Sequence, residues 1–597
     1  MPTDVAGTVR DSLTLTSYDY AVLVFYFGFM LTIGWVFRRF VTSVSDYVRG
    51  GGKALWWMVG GSAFMVAFSA WTFTGAAGEA YRTGWPIAII YLGNIAGFVL
   101  NALHFGPRFR QMRVVTGVEA IRKRFGKASE QVFTWLQIPL GTLQAGIWLN
   151  ALGVFFSTVL GLDVATTITV TGAVVVCMAL VGGSWAVLAS DFIQVLILMP
   201  VCAAVTVLVL VRAGGVGAFV EQVPAGHLDL GQLTSTPFLA LWGLAMICKQ
   251  ITSTNNLADA GRYLCAKDGS HARKAGFLGA GLFVIGIVIW FVPPMAARFL
   301  LPDLASAYPG LKNPSEAAYL AMARDVMPVG MMGLLVSGIF AATMSSMDAG
   351  LNKNAGVFVK NFYPPQISPG ANDRQLLRVG KIATLVLGGV VIAVAHWMNS
   401  RQELGLFLLM QRITILVAVP VTVPLLLGLI VERTPPWSAW STVLVGFCCA
   451  LAVGPLLPPA WAVRILNDGQ PLVGPEKEYW TQGSQFFVIV LVSSTWFLLT
   501  RYGWTRVAPG QRAEVEQFHA RLREPVDFAA EEGEANANDA RQSRVVGILC
   551  LIYGGVVSGL VFIPNPWPGR LAFLGCGGLV LFIGWLLRRS AVRPASS

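Results

Sequence analysis

Residues 55–81 read LWWMVGGSAFMVAFSAWTFTGAAGEAY, and this stretch decides the fold. A helix needs about 20 predominantly apolar residues to cross a bilayer, and the run is long enough. It nevertheless carries Gly60, Gly61, Ser62, Ser69, Thr72, Thr74, Gly75, Gly78 and Glu79. Small residues also let membrane helices pack closely. Their density here, with a charge at one end, argues for a helix that breaks inside the membrane. Such breaks occur only where the freed backbone is buried in protein or lines a cavity.

The composition agrees with a membrane setting. The 597 residues are 55% hydrophobic and only 12% charged, with a mean hydropathy of +0.63. A soluble chain carries about 25% charged residues. The apolar runs are about 20 residues long, whereas barrel strands alternate over about 10, so the spans are helices and the protein is all-α and polytopic. The net charge of +12, from 43 basic and 31 acidic residues, suits cytoplasmic loops and anionic lipid headgroups. No interleaved basic and aromatic surface points to nucleic acid, and no obligate protein partner is evident. The eight cysteines show no metal spacing and read as small core hydrophobes. The first apolar run, residues 18–37, lacks a cleavage site and is expected to remain as a span.

About fifteen spans are expected, centred near Phe27, Phe64, Gly97, Gly146, Val174, Ile197, Leu244, Ile285, Leu335, Leu387, Val417, Gly446, Leu491, Tyr553 and Leu579. Alternate loops, at residues 38–53, 108–127, 262–274, 353–378 and 501–544, and the tail 588–593 hold most of the lysines and arginines. Placing them in the cytoplasm of a multi-pass cell-membrane protein puts the N-terminus outside and the C-terminus inside. Residues 1–53 then form a leading external segment, span and loop, and 54–432 a core. Residues 433–506 flank it, 507–544 make a cytoplasmic helix with a linker, and 545–597 append two spans and a tail.

Two more stretches carry chemistry. Residues 338–363, GIFAATMSSMDAGLNKNAGVFVKNFY, put Ser345, Ser346 and Asp348 in a membrane helix. Polar groups there face a cavity or a partner. Two hydroxyls and a carboxylate one turn on form a cradle for a hard cation. The seventh span, LALWGLAMICKQITSTNN at residues 239–256, brings Lys249, Gln250, Thr252, Ser253, Thr254, Asn255 and Asn256 to the bilayer. It is the second candidate for a broken helix. Transporters built from inverted repeats use two such helices in corresponding places. The second and seventh spans are five apart, so a five-plus-five repeat over the second to eleventh spans fits.

These stretches resemble the sodium:solute symporter family. The resemblance is carried by GGGKALWWMVGGSAFMVAFSAWTFTGAAGEAYRTGW at residues 50–85, GGSWAVLASDFIQVLILM at 182–199, AGRYLCAKDGSHARKAG at 260–276, and the small-x-x-Ser-Ser…Leu-Asn pattern of 338–363. It covers about residues 15–505 and specifies a family, not a solute. It implies a leucine-transporter-type inverted-repeat core with flanking helices and sodium-driven symport of a small solute. It also implies Na+ between the first and eighth core helices, held by main-chain carbonyls of Met65, Phe68 and Ala342 and the hydroxyls of Ser345 and Ser346. A second cation or proton site would use Asp191. Relatives with that site have hydroxyls at the positions of Asp348 and Ala349, so Asp348 is a departure. It either joins that site or shares a proton with Asp191. Otherwise each acid is simply paired, for instance with Lys353.

By position in the family, Trp71, Thr72, Phe73 and Gly75 line the solute, with Lys249, Gln250 and Thr254 opposite. Gln411 and Arg412 join from the eleventh span, where Pro420 and Pro424 are expected to bend the helix. Sugar-transporting members have Glu-Gln-Phe or similar at 71–73 and commonly Gln-Glu at 411–412. The loss of carboxylates and the gain of Lys249 and Arg412 lean toward a carboxylate-bearing organic solute, with sugar left open. Against this, Arg412 would pair with Glu79 or Asp348, and Lys249 would snorkel to an interface. The five histidines form no cluster, and no nucleophile–base pair or phosphate loop is visible, which disfavours an enzyme. A proton-coupled symporter and a solute sensor signalling through the linker remain as alternatives.

Overall fold

The structure is a computed structural model that describes residues 15–40, 46, 49–180, 184–228, 237–363, 367–400, 405–467, 469–472, 476–532 and 535–591. These residues are helical, with one isolated bridge from Ala54 to Ala266 and no strand among them. Helix α1 (Ser17–Phe37) leads into the broken pair α2 (Trp56–Val66) and α3 (Gly75–Thr83). Next come α4 (Ala88–Leu100), α5 (Gly117–Leu160), α6 (Val164–Ala179) and α7 (Ser184–Arg212). A second set follows: α8 (Pro237–Thr254), α9 (Gly269–Leu300), α10 (Ala318–Val326), α11 (Met331–Val357), α12 (Asp373–Ser400), α13 (Leu406–Ile413) and α14 (Val419–Ile430). The chain closes with α15 (Ser438–Leu456), α16 (Glu476–Leu499), α17 (Pro509–Arg521), α18 (Ala535–Gly559) and α19 (Trp567–Ser590). Among the described residues, eleven helices are long and apolar enough to cross a membrane. The four expected centres outside those eleven fall on α2, α6, α8 and α11.

The break between α2 and α3 has local causes. Ser69 has extended backbone, and its hydroxyl accepts from the Trp71 N–H at 3.3 Å. The Ala70 N–H, released from the helix, donates to Thr343 Oγ1 on α11 at 2.8 Å. Gly78 keeps α3 close to the turn Pro314–Ala317, since a Cβ there would stand 3.2 Å from the Glu316 nitrogen.

Two five-helix units follow from the packing. Count the α2–α3 pair as first, α8 as sixth and α13–α14 as tenth, leaving out the short α10. The first helix packs on the seventh, and the sixth on the second. The third packs on the ninth, and the eighth on the fourth. Each contact maps onto its mate when every helix is exchanged for the one five places away. The expected break in α8 is displaced, however. Helix α8 is continuous to Thr254, and the chain leaves it at Asn255–Asn256 for the short helices Leu257–Asp259 and Gly261–Leu264. The Asn256 side chain caps that exit by accepting from the Ala258 N–H at 3.0 Å.

The basic loops meet at one end. There Arg113 pairs with Glu531 at 2.7 Å, Lys267 with Asp539 at 2.5 Å and Lys353 with Asp259 at 3.1 Å, and Arg523 pairs with Glu432. The opposite end gathers Tyr81, His227, Pro302, Arg212 and Asp325. The segment expected as a helix with a linker packs back on the core, α17 against α5. The appended pair α18–α19 rests on α7, with Tyr553 against Phe25 and Phe29 of α1.

Candidate functional site

Backbone oxygens released at the end of α2 point at α11. The Ser346 hydroxyl lies 2.9 Å from the Phe68 carbonyl, 3.4 Å from that of Met65, 3.2 Å from that of Val66 and 3.2 Å from that of Ala342. Ser345 is buried beside it, with its hydroxyl next to the Asp191 carboxylate. One irregular turn and one helix face thus present only oxygen donors, the set a hard cation takes.

Asp191 of α7 closes the other side of this cluster. Its Oδ2 accepts a very short hydrogen bond from Ser62 and lies 3.8 Å from the Arg262 guanidinium, while its Oδ1 has no hydrogen-bond partner among the described residues. Arg262 belongs to the short helix beyond the exit of α8, so both repeats contribute to one buried charge pair. The side chain of Asp348 lies outside the described residues. Lys353, suggested above as a partner for either acid, is bound to Asp259 at 3.1 Å.

A second cluster sits on α13. Trp71 stacks on Phe407 with ring centroids 6.1 Å apart, and its Nε1 donates to the Leu406 carbonyl at 3.3 Å. One turn on, Gln411 accepts from the Lys249 ammonium at 2.5 Å. Residues four apart share a helix face, so Trp71 and Lys249 are held along one side of α13. Thr72 accepts from the Tyr91 hydroxyl at 2.9 Å, and Phe73 is fully buried edge-on to Tyr319. Gly75 packs directly beneath the Trp71 indole. Glu316, at the end away from the basic loops, accepts from the Leu406 N–H at 2.8 Å, and burial pushes its carboxyl up to about 7 against that hydrogen bond.

Three expected solute residues are not brought to this cluster. Gln250 donates to Asn94 on α4 at 2.6 Å, and Thr254 packs against Gly97 of α4. Both fill the seam between α4 and α8, because their helix face is the one that meets α4. Arg412, one residue beyond Gln411, turns to Glu478 on α16 at 3.2 Å, while Glu79 lies 3.5 Å from Arg82. Lys249 is buried against Gln411 and reaches no interface. Conversely, sequence reasoning missed Thr343, Tyr91, Arg262 and a role for Ser62. Thr343 had a signal, being three residues before Ser346 on the same helical face.

The sodium:solute symporter family profile matches residues 47–446. The chain belongs to the sodium:solute symporter family. This symporter is similar to the sodium/myo-inositol cotransporter 2 of Rattus norvegicus, with 27% identity over 83% of this chain and 77% of that one. It is 25% identical to the sodium/glucose cotransporter 1 of Mus musculus, over 73% of this chain and 71% of that one. Its fold matches a substrate-bound, outward-open Na+-coupled sialic acid symporter with a TM-score of 0.62 and 21% identity, over 81% of this chain and 98% of that one. The fold is of the leucine-transporter type. As a family member the symporter is a multi-pass membrane transporter and not an enzyme. It couples Na+ to a small-molecule solute by alternating access.

Proposed function

We propose that sodium is held by the main-chain carbonyls of Met65, Phe68 and Ala342 and the hydroxyls of Ser345 and Ser346. The carrying observation is the Ser346 hydroxyl, which gathers four carbonyl oxygens from two helices within 3.4 Å. Helix α2 packs with α9, α9 with α4 and α4 with α8; α11 packs with α5, α6 and α12. An ion between α2 and α11 therefore ties two helix groups together, which is how its binding would bias the rocking of one against the other. The basic end, with the linker, faces the cytoplasm in this reading. Asp191 supplies the neighbouring negative charge, and it is the acid of a second cation site or of a proton site.

The solute occupies the face of α13 bounded by Trp71, Phe407, Gln411 and Lys249. Among the described residues no carboxylate pairs with Lys249, and a buried cation without a counter-charge is costly. A carboxylate on the solute would answer it. The myo-inositol and glucose cotransporters named above favour a second reading, a polyol or sugar stacked on Trp71 and bonded to Gln411.

The test is thermal stabilisation of the purified symporter by sodium against potassium, with a panel of carboxylates and polyols. Ligand binding raises stability by mass action. Losing one hydrogen-bonding ligand of a charged group costs roughly tenfold or more in affinity. Ser345→Ala and Ser346→Ala are each expected to weaken the sodium-dependent shift by that factor while the protein folds. Unchanged sodium affinity in both would reject the ligand set.

A further inference from the structure

Gln542 has no place in the sites above, yet it is fully buried, far along the chain, against the start of α2. Its Oε1 accepts from the Leu55 N–H at 3.3 Å, and its Nε2 donates to the Lys53 carbonyl at 2.9 Å. The backbone between those two groups is engaged on its other side. The Ala54 N–H donates to the Cys265 carbonyl at 3.0 Å, and the Ala54 carbonyl accepts from the Lys267 N–H at 3.0 Å. Successive peptide groups of an extended chain point to opposite sides. Segment 53–55 is therefore clasped between a main-chain partner and a side-chain amide acting as a second strand. Leu55 is the N-cap of α2 and has no capping side chain of its own, so Gln542 satisfies one of the orphan donors at that helix start.

The surroundings hold Gln542 in place. Asp539, one turn earlier on α18, binds Lys267 at 2.5 Å. Arg541 lies over the Phe40 ring at 4.3 Å, and Lys267 lies over Phe528 at 5.1 Å. All these contacts join α18 and its approach to the segments flanking α2.

We propose that Gln542 is a positioning residue for the transport cycle, a clasp that holds the basic end of α2 closed. This rests on the reading that α2 moves when the symporter opens toward that end. Helix α2 carries the Met65 carbonyl at its far end, with that of Phe68 just beyond. A swing of its start would pull those oxygens from α11 and release the ion. The clasp sets how readily that happens, and it gives the segment joining the core to its two appended spans a task.

The test is hydrogen–deuterium exchange of the full-length protein in lipid nanodiscs, read at residues 54–60 without solute, in potassium and in sodium. Gln542→Ala is expected to speed exchange there about tenfold in potassium, with α17 unchanged. Gln542→Glu, which keeps the acceptor and loses the donor, is expected to fall between. In sodium alone, the concentration that half-restores protection is expected to rise about tenfold in Gln542→Ala. Asp539→Asn leaves the amide intact and is expected to loosen the same segment about twofold, which carries the test if Gln542→Ala does not fold. Wild-type exchange at 54–60 in these variants, or loosening spread evenly over every span, would overturn the role. The potassium arm involves no sodium ligand, so an error in the Ser345–Ser346 assignment would show separately, as a wild-type protein indifferent to sodium.

Discussion

The two ends of the molecule are held together by different chemistry. Away from the basic loops the closure is aromatic, and it too joins distant segments. Trp71 lies on Phe407 and bonds to Leu406, and the buried Glu316 holds the Leu406 N–H. At the basic end the closure is made of cations and amides drawn from distant sequence. Arg113 reaches Glu531, Gln542 clasps Lys53 and Leu55, and Arg124 caps the end of α14. An aromatic lid opens without stranding a charge, whereas a buried cation that loses its acceptors leaves a large desolvation cost. The basic end should therefore be the stiffer of the two.

Breaking that end gives the largest expected effect. The Arg124 guanidinium donates to the carbonyls of Gly428, Val431, Glu432 and Thr434 and to Thr434 Oγ1, at 2.7–3.4 Å. Arg124→Ala is expected to cost roughly 3 kcal/mol, since it leaves the buried acceptors at Gly428 and Thr434 unmet. Arg124→Lys should rescue little, because a point charge cannot span the fork of acceptors. Thermal unfolding in detergent decides it, and a wild-type midpoint for both variants would refute the stiffness argument.

Protons should act on the two ends with opposite sign. His519 of α17 is held down to about 3 by burial and then by Arg124, Arg523 and Arg108. Its folded pKa lies below its unfolded value of 6.5, so its neutral form is favoured and stability falls as pH drops through 6.5. The expected loss between pH 7 and 5 is about 2 kcal/mol, read as exchange in α17. Glu316 runs the other way. Its folded pKa of about 7 lies above the unfolded 4.5, so the carboxyl stabilises the lid while protonated and loses this as pH rises. Between pH 6 and 8 that loss is roughly 1.4 kcal/mol, and Glu316→Gln should abolish it. A lid whose exchange in residues 405–409 ignores pH in the wild type would remove Glu316 from the closure.

Most of the basic end was hidden in the sequence, and most of the core was not. Glycines and hydroxyls inside apolar runs exposed the break after α2 and the serine pair on α11, because lipid makes each such residue conspicuous. The fifteen centres follow from the same penalty. The exit of α8 was misplaced because a polar cluster marks where a helix departs from regularity but not on which side of the cluster. Gln250 and Thr254 fill the seam between α4 and α8, and in a sequence a polar side chain satisfied inside the fold reads like one aimed at a ligand. Gln542 had no local signal. A polar residue in a charged linker is ordinary, and only long-range folding places it against Leu55.

The smallest effect sharpens the contrast between a residue in the cluster on α13 and its immediate neighbour. Arg412 and Gln411 are adjacent, but one turns outward to Glu478 and the other inward to Lys249. The side chains of the Arg412–Glu478 pair are 43% and 30% exposed, so solvent screens it. Such pairs contribute about 0–1 kcal/mol. Arg412→Ala should leave the solute-dependent thermal shift within about twofold of wild type. Lys249→Gln should behave otherwise. If the solute carries a carboxylate, losing the ammonium that meets it should weaken solute binding roughly tenfold or more. If the solute is a polyol, a Gln side chain that still hydrogen-bonds to Gln411 should keep most of the shift. A strong loss in Arg412→Ala with none in Lys249→Gln would mean that α13 presents its other face to the solute. The cluster around Trp71 would then be a lid and not a binding site.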